Sequence, residues 1–239
     1  MKFSVVFLRR RTLVCFLVII FLVSFLVEFC LENRLTQTVF AIPLSGKTVL
    51  IDPGHGGVDA GASANGAVEK EINLAVAKLL QEYIETGGGI AYLTRSDDSN
   101  TADPNRSKNL SQKMSDLKER KADIGEVRAD IFVSIHMNKF EQSKYRGAQV
   151  FYDSDSDENK ALAEKIQSAL KDVLKDGNKR VAKPTGDSIF VLRDNPIPSA
   201  LVECGFLSNQ EEAELLKNAN YQRKIAWGIY VGIVRYLSN

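Results

Sequence analysis

Two histidines are the whole imidazole complement of this 239-residue chain, and each comes just after an apolar, strand-like run. His55 lies in Ile51-Asp52-Pro53-Gly54-His55-Gly56-Gly57, where glycines clear space around the ring and let the backbone take uncommon dihedrals. His136 lies in Phe132-Val133-Ser134-Ile135-His136-Met137-Asn138, where apolar residues give way to polar ones. A histidine alone is ordinarily a hydrogen-bonded turn or core residue, but two at the same edge of a sheet can share a metal ion. A third ligand is then needed, and in Val68-Glu69-Lys70-Glu71 either acid qualifies. An acid in a first helical turn also simply complements the helix dipole, worth ~0.3 to 1 kcal/mol, so spacing does not choose between them. Glu203 ends the apolar run Ala200-Leu201-Val202-Glu203, where a carboxylate is costly unless backbone amides satisfy it or it faces a site. Two histidines and a glutamate around an open position are the donor set of catalytic zinc centres, and a second glutamate is the usual general base beside them.

Strands must end where these side chains sit. Lys47 to Asp52 reads as a β-branched strand, Pro53 to Gly66 as a turn-rich stretch, and Glu69 to Ile84 as an amphipathic helix carrying Ile72, Val76, Leu79, Leu80 and Tyr83 at helical spacing. Gly87 to Gly89 stop that helix, and Ile90 to Thr94 predicts the next strand. Further on the pattern predicts a helix over Leu110 to Val127, strands at Asp130 to Ile135, Ala148 to Tyr152 and Ser199 to Glu203, and helices at Glu158 to Leu174 and Tyr221 to Leu237. Alternation of strands and helices, with the 130 to 135 strand apolar on both faces, predicts a single α/β domain whose mostly parallel sheet is covered by helices on both sides. Function in such sheets collects at the carboxyl ends of the strands.

The front of the chain obeys another logic. Lys2, Arg9, Arg10 and Arg11 precede a run from Leu13 to Val27 in which Ser24 is the only polar residue, the pattern of an N-terminal hydrophobic helix. Its length lies between a cleaved signal peptide and the ~20 residues of a membrane span, so residues 1–41 are expected to be a signal peptide or a membrane anchor and 42–239 the catalytic domain. Val39-Phe40-Ala41 is a mediocre cleavage site. Basic residues ahead of the run orient the remainder of the chain outward, so the domain is expected to work outside the cytoplasm.

Lys plus Arg number 31 against 30 Asp plus Glu, a net charge of +1 that gives no case for nucleic-acid binding. Hydrophobic residues at 44% and charged residues at 26% exclude a disordered chain. Cys15 belongs to the apolar run and Cys30 to its apolar continuation as far as Leu31, which leaves Cys204 alone in the domain without a disulfide partner. With no basic neighbour in sequence, Cys204 reads as a small buried residue rather than a nucleophile.

The blocks Val49-Leu50-Ile51-Asp52-Pro53-Gly54-His55-Gly56-Gly57 with Asp59 and Gly61, Glu69-Lys70-Glu71-Ile72-Asn73-Leu74-Ala75, Thr94-Arg95, Phe132 to Asn138, and Ala200 to Glu203 with Phe206-Leu207-Ser208-Asn209 together resemble the zinc-dependent N-acetylmuramoyl-L-alanine amidases. The resemblance implies that His55, Glu69 and His136 hold one Zn²⁺, that Glu69 rather than Glu71 is the third ligand, and that Glu203 is the catalytic glutamate. The implied substrate is the amide joining N-acetylmuramic acid to L-alanine in bacterial peptidoglycan. Gly147-Ala148-Gln149-Val150-Phe151-Tyr152, Arg180-Val181-Ala182-Lys183 and the ending from Tyr221 to Tyr236 look most like the germination-specific, spore-cortex members. That subgroup implies a role in forming cortex muramic lactam, work in the space around the developing spore, and room for an activating protein partner. An uncleaved N-terminal segment would add a membrane contact.

Cys204 departs from the family pattern beside Glu203, where it could be oxidised or compete for zinc. A catalytically silent wall-binding protein would keep the fold without the reaction. A zinc carboxypeptidase would need a basic residue for the terminal carboxylate, for which Arg95 is available; Arg95 as an exposed structural residue is the alternative. A phosphate-binding reading of Gly54, Gly56 and Gly57 lacks the Lys-Ser or Lys-Thr pair of a P-loop.

Overall fold

The computed structural model describes residues 14–15, 17–28, 43–99, 101–102 and 111–238. Residues 14–15 and 17–28 are helical (α1), within a unit distinct from 42–239. No helix among the described residues is long and apolar enough to cross a membrane. The expectation for residues 1–41 falls largely outside the described residues.

The 42–239 unit runs β1 (Thr48–Pro53), β2 (Ser63–Ala64), β3 (Ala67–Val68), α2 (Glu69–Thr86), β4 (Ile90–Leu93), α3 (Gln112–Glu126), β5 (Ile131–Asn138), β6 (Gln149–Tyr152), α4 (Asp157–Leu174), β7 (Lys183–Pro184), β8 (Ser199–Phe206), α5 (Gln210–Lys217) and α6 (Ala219–Leu237). Among the described residues, six strands form one sheet in the order β4-β1-β5-β8-β6-β7. Every pairing is parallel except β6 with β8, so β1, β4, β5 and β8 end at one edge. β2 and β3 form a small antiparallel hairpin where the stretch that the sequence presents as turns ends, β2 within it and β3 just past it.

Alternate residues of the central strands divide between two cores. Val49, Ile51, Val133, Ile135 and Val202 pack with the apolar faces of α2, α4 and α6, including Val76, Leu80, Ile166, Ile229 and Ile233. Leu50, Phe132 and Leu201 turn to the other face, against Ile124 of α3 and Val191 and Leu192 of a short 3-10 turn. Phe132 is fully buried, which is worth about 1.5–3 kcal/mol for a side chain of its size. Burial on both faces is why these strands lack polar alternation, and it leaves their carboxyl ends as the open rim.

The helix starts are set by short polar caps. Ser111, Ser156, Asn209 and Asn218 each accept a backbone N–H in the first turn of α3, α4, α5 and α6. The Asn218 cap starts α6 two residues before Tyr221. α5, β7 and the 3-10 turns carry too few periodic residues to stand out in the sequence.

Candidate metal centre and cleft

Three elements meet at the rim. His55 comes after β1 on a loop with φ of 64°, a left-handed conformation that costs a non-glycine residue energy and must be held by its surroundings. Two buried arginines hold it. Arg120 of α3 donates to the carbonyls of Pro53 and His55, and Arg95 donates to those of Pro53, Gly54, Asp97 and Lys70. Arg120 also pairs with Asp52 at 2.6 Å and Asp116 at 2.7 Å. Asp52 accepts the hydroxyls of Ser134 and Thr94 as well. Burial alone would raise the Asp52 pKa, but the Arg120 charge and those hydroxyls outweigh it and hold the carboxyl below its usual range.

Glu69 opens α2 and is 3% exposed. Its Oε1 lies 3.2 Å from His55 Nε2 and 3.0 Å from His136 Nδ1, and it accepts the Met137 N–H at 3.0 Å. Its Oε2 accepts the Ala62 N–H at 2.7 Å. Burial would raise its pKa, and the hydrogen bonds and charges of the two histidines drive it strongly down instead. His136 sits within β5, two residues before its end, with its ring centroid 5.0 Å from that of His55. One donor atom from each of His55, Glu69 and His136 lies within 4.8 Å of the others. Glu71, the other acid left open by spacing, is exposed and not part of the cluster.

This geometry fits a small divalent cation. Asp59 Oδ1 lies 3.1 Å from His55 Nδ1, which fixes the ring so that Nε2 turns to the cluster, the usual role of a carboxylate behind a metal-binding histidine. Space is reserved as well: a Cβ on Gly54 would come within 2.2 Å of the His136 ring, and one on Gly61, at φ of 67°, within 2.6 Å of Glu69 Oε2. Burial lowers the His55 pKa, but Glu69 and Asp59 together raise it above the ordinary value.

Glu203 lies in β8 in register with His136 and lines a cleft of about 310 Å³ together with His55, His136, Lys113, Leu117, Ile189 and Phe190. Among the described residues its Oε2 is sealed from solvent with no hydrogen-bond partner, so backbone amides do not satisfy that oxygen. Burial pushes its pKa up to about 7, with His136 pulling it down and Glu69 adding to the rise.

Arg95 corrects both sequence readings. It is 4% exposed and committed to backbone carbonyls behind the His55 loop, so it is neither a surface residue nor turned to a substrate carboxylate. Cys204 is fully buried in the larger core, its thiol pKa pushed well up first by burial, as expected of an inert cysteine. Asp59, Asp52 and Arg120 were not singled out by type and spacing. The available signals were an acid four residues after His55, and Asp116, Arg120 and Ile124 on one face of α3.

An open α/β sheet with a His-Glu-His cluster and a proton-active carboxyl at its rim has the build of a metal-dependent hydrolase. The chain belongs to the N-acetylmuramoyl-L-alanine amidase family, enzymes of peptidoglycan, whose model matches residues 49–235. It is 36% identical over 224 residues to a germination-specific N-acetylmuramoyl-L-alanine amidase of Bacillus subtilis (strain 168), covering 93% of each chain. Among solved structures it is similar to the CwlD amidase of Clostridioides difficile in complex with the GerS lipoprotein, at 49% identity and TM-score 0.76, covering 80% of this chain and 98% of that one. It is also similar to the AmiC2 amidase of Nostoc punctiforme, at 31% identity and TM-score 0.70, covering 81% and 98%.

Proposed function

We propose that this chain is a zinc-dependent amidase that cuts the bond between the lactyl group of N-acetylmuramic acid and L-alanine in spore-cortex peptidoglycan. The observation that carries the reading is the juxtaposition of the His55, Glu69 and His136 donors with a Glu203 carboxyl on the strand beside that of His136, its buried Oε2 without a partner among the described residues. His55, Glu69 and His136 would hold the ion. Bound zinc supplies a Lewis acid for the amide carbonyl and makes water more acidic.

An unstrained amide resists hydrolysis because neutral water is a weak nucleophile and its amine is a poor leaving group. Glu203 takes a proton from the attacking water and delivers one to the departing L-alanine nitrogen. A carboxyl facing the cleft beside the donors can do both in turn, a role worth ~10² to 10⁴ in rate. Asp59 keeps His55 turned toward the cluster, and Arg120 and Arg95 hold the loop that carries it. The carboxypeptidase reading loses the basic residue on which it depended, because Arg95 is sealed behind the loop.

The cortex role rests on similarity to the germination-specific relative, and residues 1–41 as signal peptide or anchor, with basic residues ahead of the apolar run, would place the 42–239 catalytic domain outside the cytoplasm. A lipoprotein-type partner is suggested by the complex formed by the similar clostridial amidase. The test is digestion of purified cortex peptidoglycan with the zinc-loaded protein, followed by mass spectrometry of the new termini. Release of intact stem peptides with free L-alanine amino groups is expected. Release of single amino acids, or no new termini, overturns the reading.

A further inference from the structure

We propose that buried Glu212, together with Gly205, holds a bulge in β8 that aims the Glu203 carboxyl into the cleft, which makes Glu212 a positioning residue for the reaction. The inference rests on the reading of Glu203 as the proton-transfer group.

Parallel pairing of β5 with β8 is regular from Phe132 opposite Ser199 to His136 opposite Glu203. The next pair is Asn138 with Phe206, so one residue of β5, Met137, faces two of β8, Cys204 and Gly205. An extra residue at this point is a bulge, a device that bends a strand and re-aims the side chain next to it. The side chain next to it here is Glu203.

Glu212, from the first turn of α5, closes the device. It is 2% exposed, its Oε2 accepts the Phe206 N–H at 2.8 Å, and its Oε1 accepts the Gly147 N–H at 2.8 Å. Phe206 is the first paired residue beyond the bulge, and Gly147 lies two residues before Gln149, the β6 partner of Glu203. One carboxylate therefore ties the strand that bears Glu203 to the segment that leads into the strand beside it. Gly205 makes room for this contact, because a Cβ there would stand 2.9 Å from the Glu212 carboxyl carbon. Burying an acid to bind two amides is costly, and a helix needs no such group merely to pack on a sheet. Alignment of a reacting carboxyl supplies a reason, since displacement by about 1 Å can cost 10²-fold in rate.

The test compares Glu212→Gln and Gly205→Ala with Glu203→Gln in the full zinc-loaded chain, measuring kcat, KM, zinc per chain, melting temperature and the crystal structure around 203–206. Gln at 212 presents an NH₂ to one of the two N–H donors, and Ala at 205 pushes on the carboxyl. Both are expected to lower kcat by about 10- to 100-fold. KM should stay within about twofold and zinc content should be unchanged, because no zinc ligand is touched. If both variants melt earlier but keep wild-type kcat, Glu212 is only a structural staple and the proposal falls. Should Glu212→Gln fail to fold, Gly205→Ala decides by the same criterion. An active Glu203→Gln would remove the underlying reading, whereas an inactive Glu203→Gln beside fully active Glu212→Gln and Gly205→Ala would remove this inference alone.

Discussion

His136 and Glu203 are directly paired in register on the adjoining parallel strands β5 and β8. Paired residues of parallel strands stand on the same face, so the metal-type donor and the carboxyl face one cleft without any loop to position them. This rigidity yields the clearest prediction. Glu203→Gln is isosteric and leaves the donor cluster intact, so it should bind zinc with wild-type stoichiometry while kcat falls by about 10² to 10⁴. Metal analysis and turnover on the same preparation check it, and substantial turnover would sink the assigned proton carrier.

Metal binding should stabilise the fold through its ligands. Zinc at about 100 times its Kd adds roughly 2.7 kcal/mol to unfolding, visible as a rise in melting temperature. His136→Ala should abolish that rise together with activity. A zinc-dependent shift of wild-type size in this variant would exclude His136 as a ligand.

Asp59 stands behind the donor cluster, its Oδ1 3.1 Å from His55 Nδ1. Asp59→Asn removes the carboxylate behind the ring and should weaken zinc affinity by about 10- to 100-fold while leaving the fold intact. Competition with a chelator of known affinity measures it. Unchanged affinity would show that the loop alone orients the imidazole.

Gly54 is a steric requirement of the cleft. Gly54→Ala places a Cβ where the His136 ring lies, at 2.2 Å, and should lose zinc and turnover together. Zinc content of the purified variant decides it; a fully loaded variant would mean that the ring can move aside at little cost.

Asp52 and Arg120 set an acid limit on stability. The folded pKa of Asp52 lies below its unfolded value, so its contribution is complete above the unfolded pKa and is lost as pH falls through the depressed folded one. Urea melts taken downward from pH 7 should show stability falling below about pH 4 in the wild type. Arg120→Leu leaves Asp52 buried without its cation and should cost about 3–5 kcal/mol at neutral pH. A loss under about 1 kcal/mol, the range of solvated pairs, would show that water reaches this one.

Much of this was legible along the chain. Apolar runs bounded by glycine and polar residues marked β1, β4, β5 and β8, and helical periodicity marked α2, α3, α4 and α6, because burial against a sheet imposes those patterns on the sequence. Residue type and position also named both histidines, Glu203, and Glu69 together with its rival Glu71. Beyond placing the two histidines at one sheet edge, type and spacing left open which residues far apart in the chain meet. Glu69 was separated from Glu71 in space by the inward face of α2 at its first turn, since helix positions two apart do not face the same neighbour.

Arg95 shows the other limit. Its charge suggested surface or substrate, yet the fold surrounds it with carbonyls from Pro53, Gly54, Asp97 and Lys70. Sequence by itself determined which residue types were available and which elements they would enter, because propensity and patterning are local. Only the tertiary structure decided which carboxylates meet which imidazoles and which arginines are buried, because the pairings that fix the site, Glu69 with His136, Arg95 with Gly54 and Arg120 with Asp52, span 67, 41 and 68 residues and are set by sheet register and helix packing.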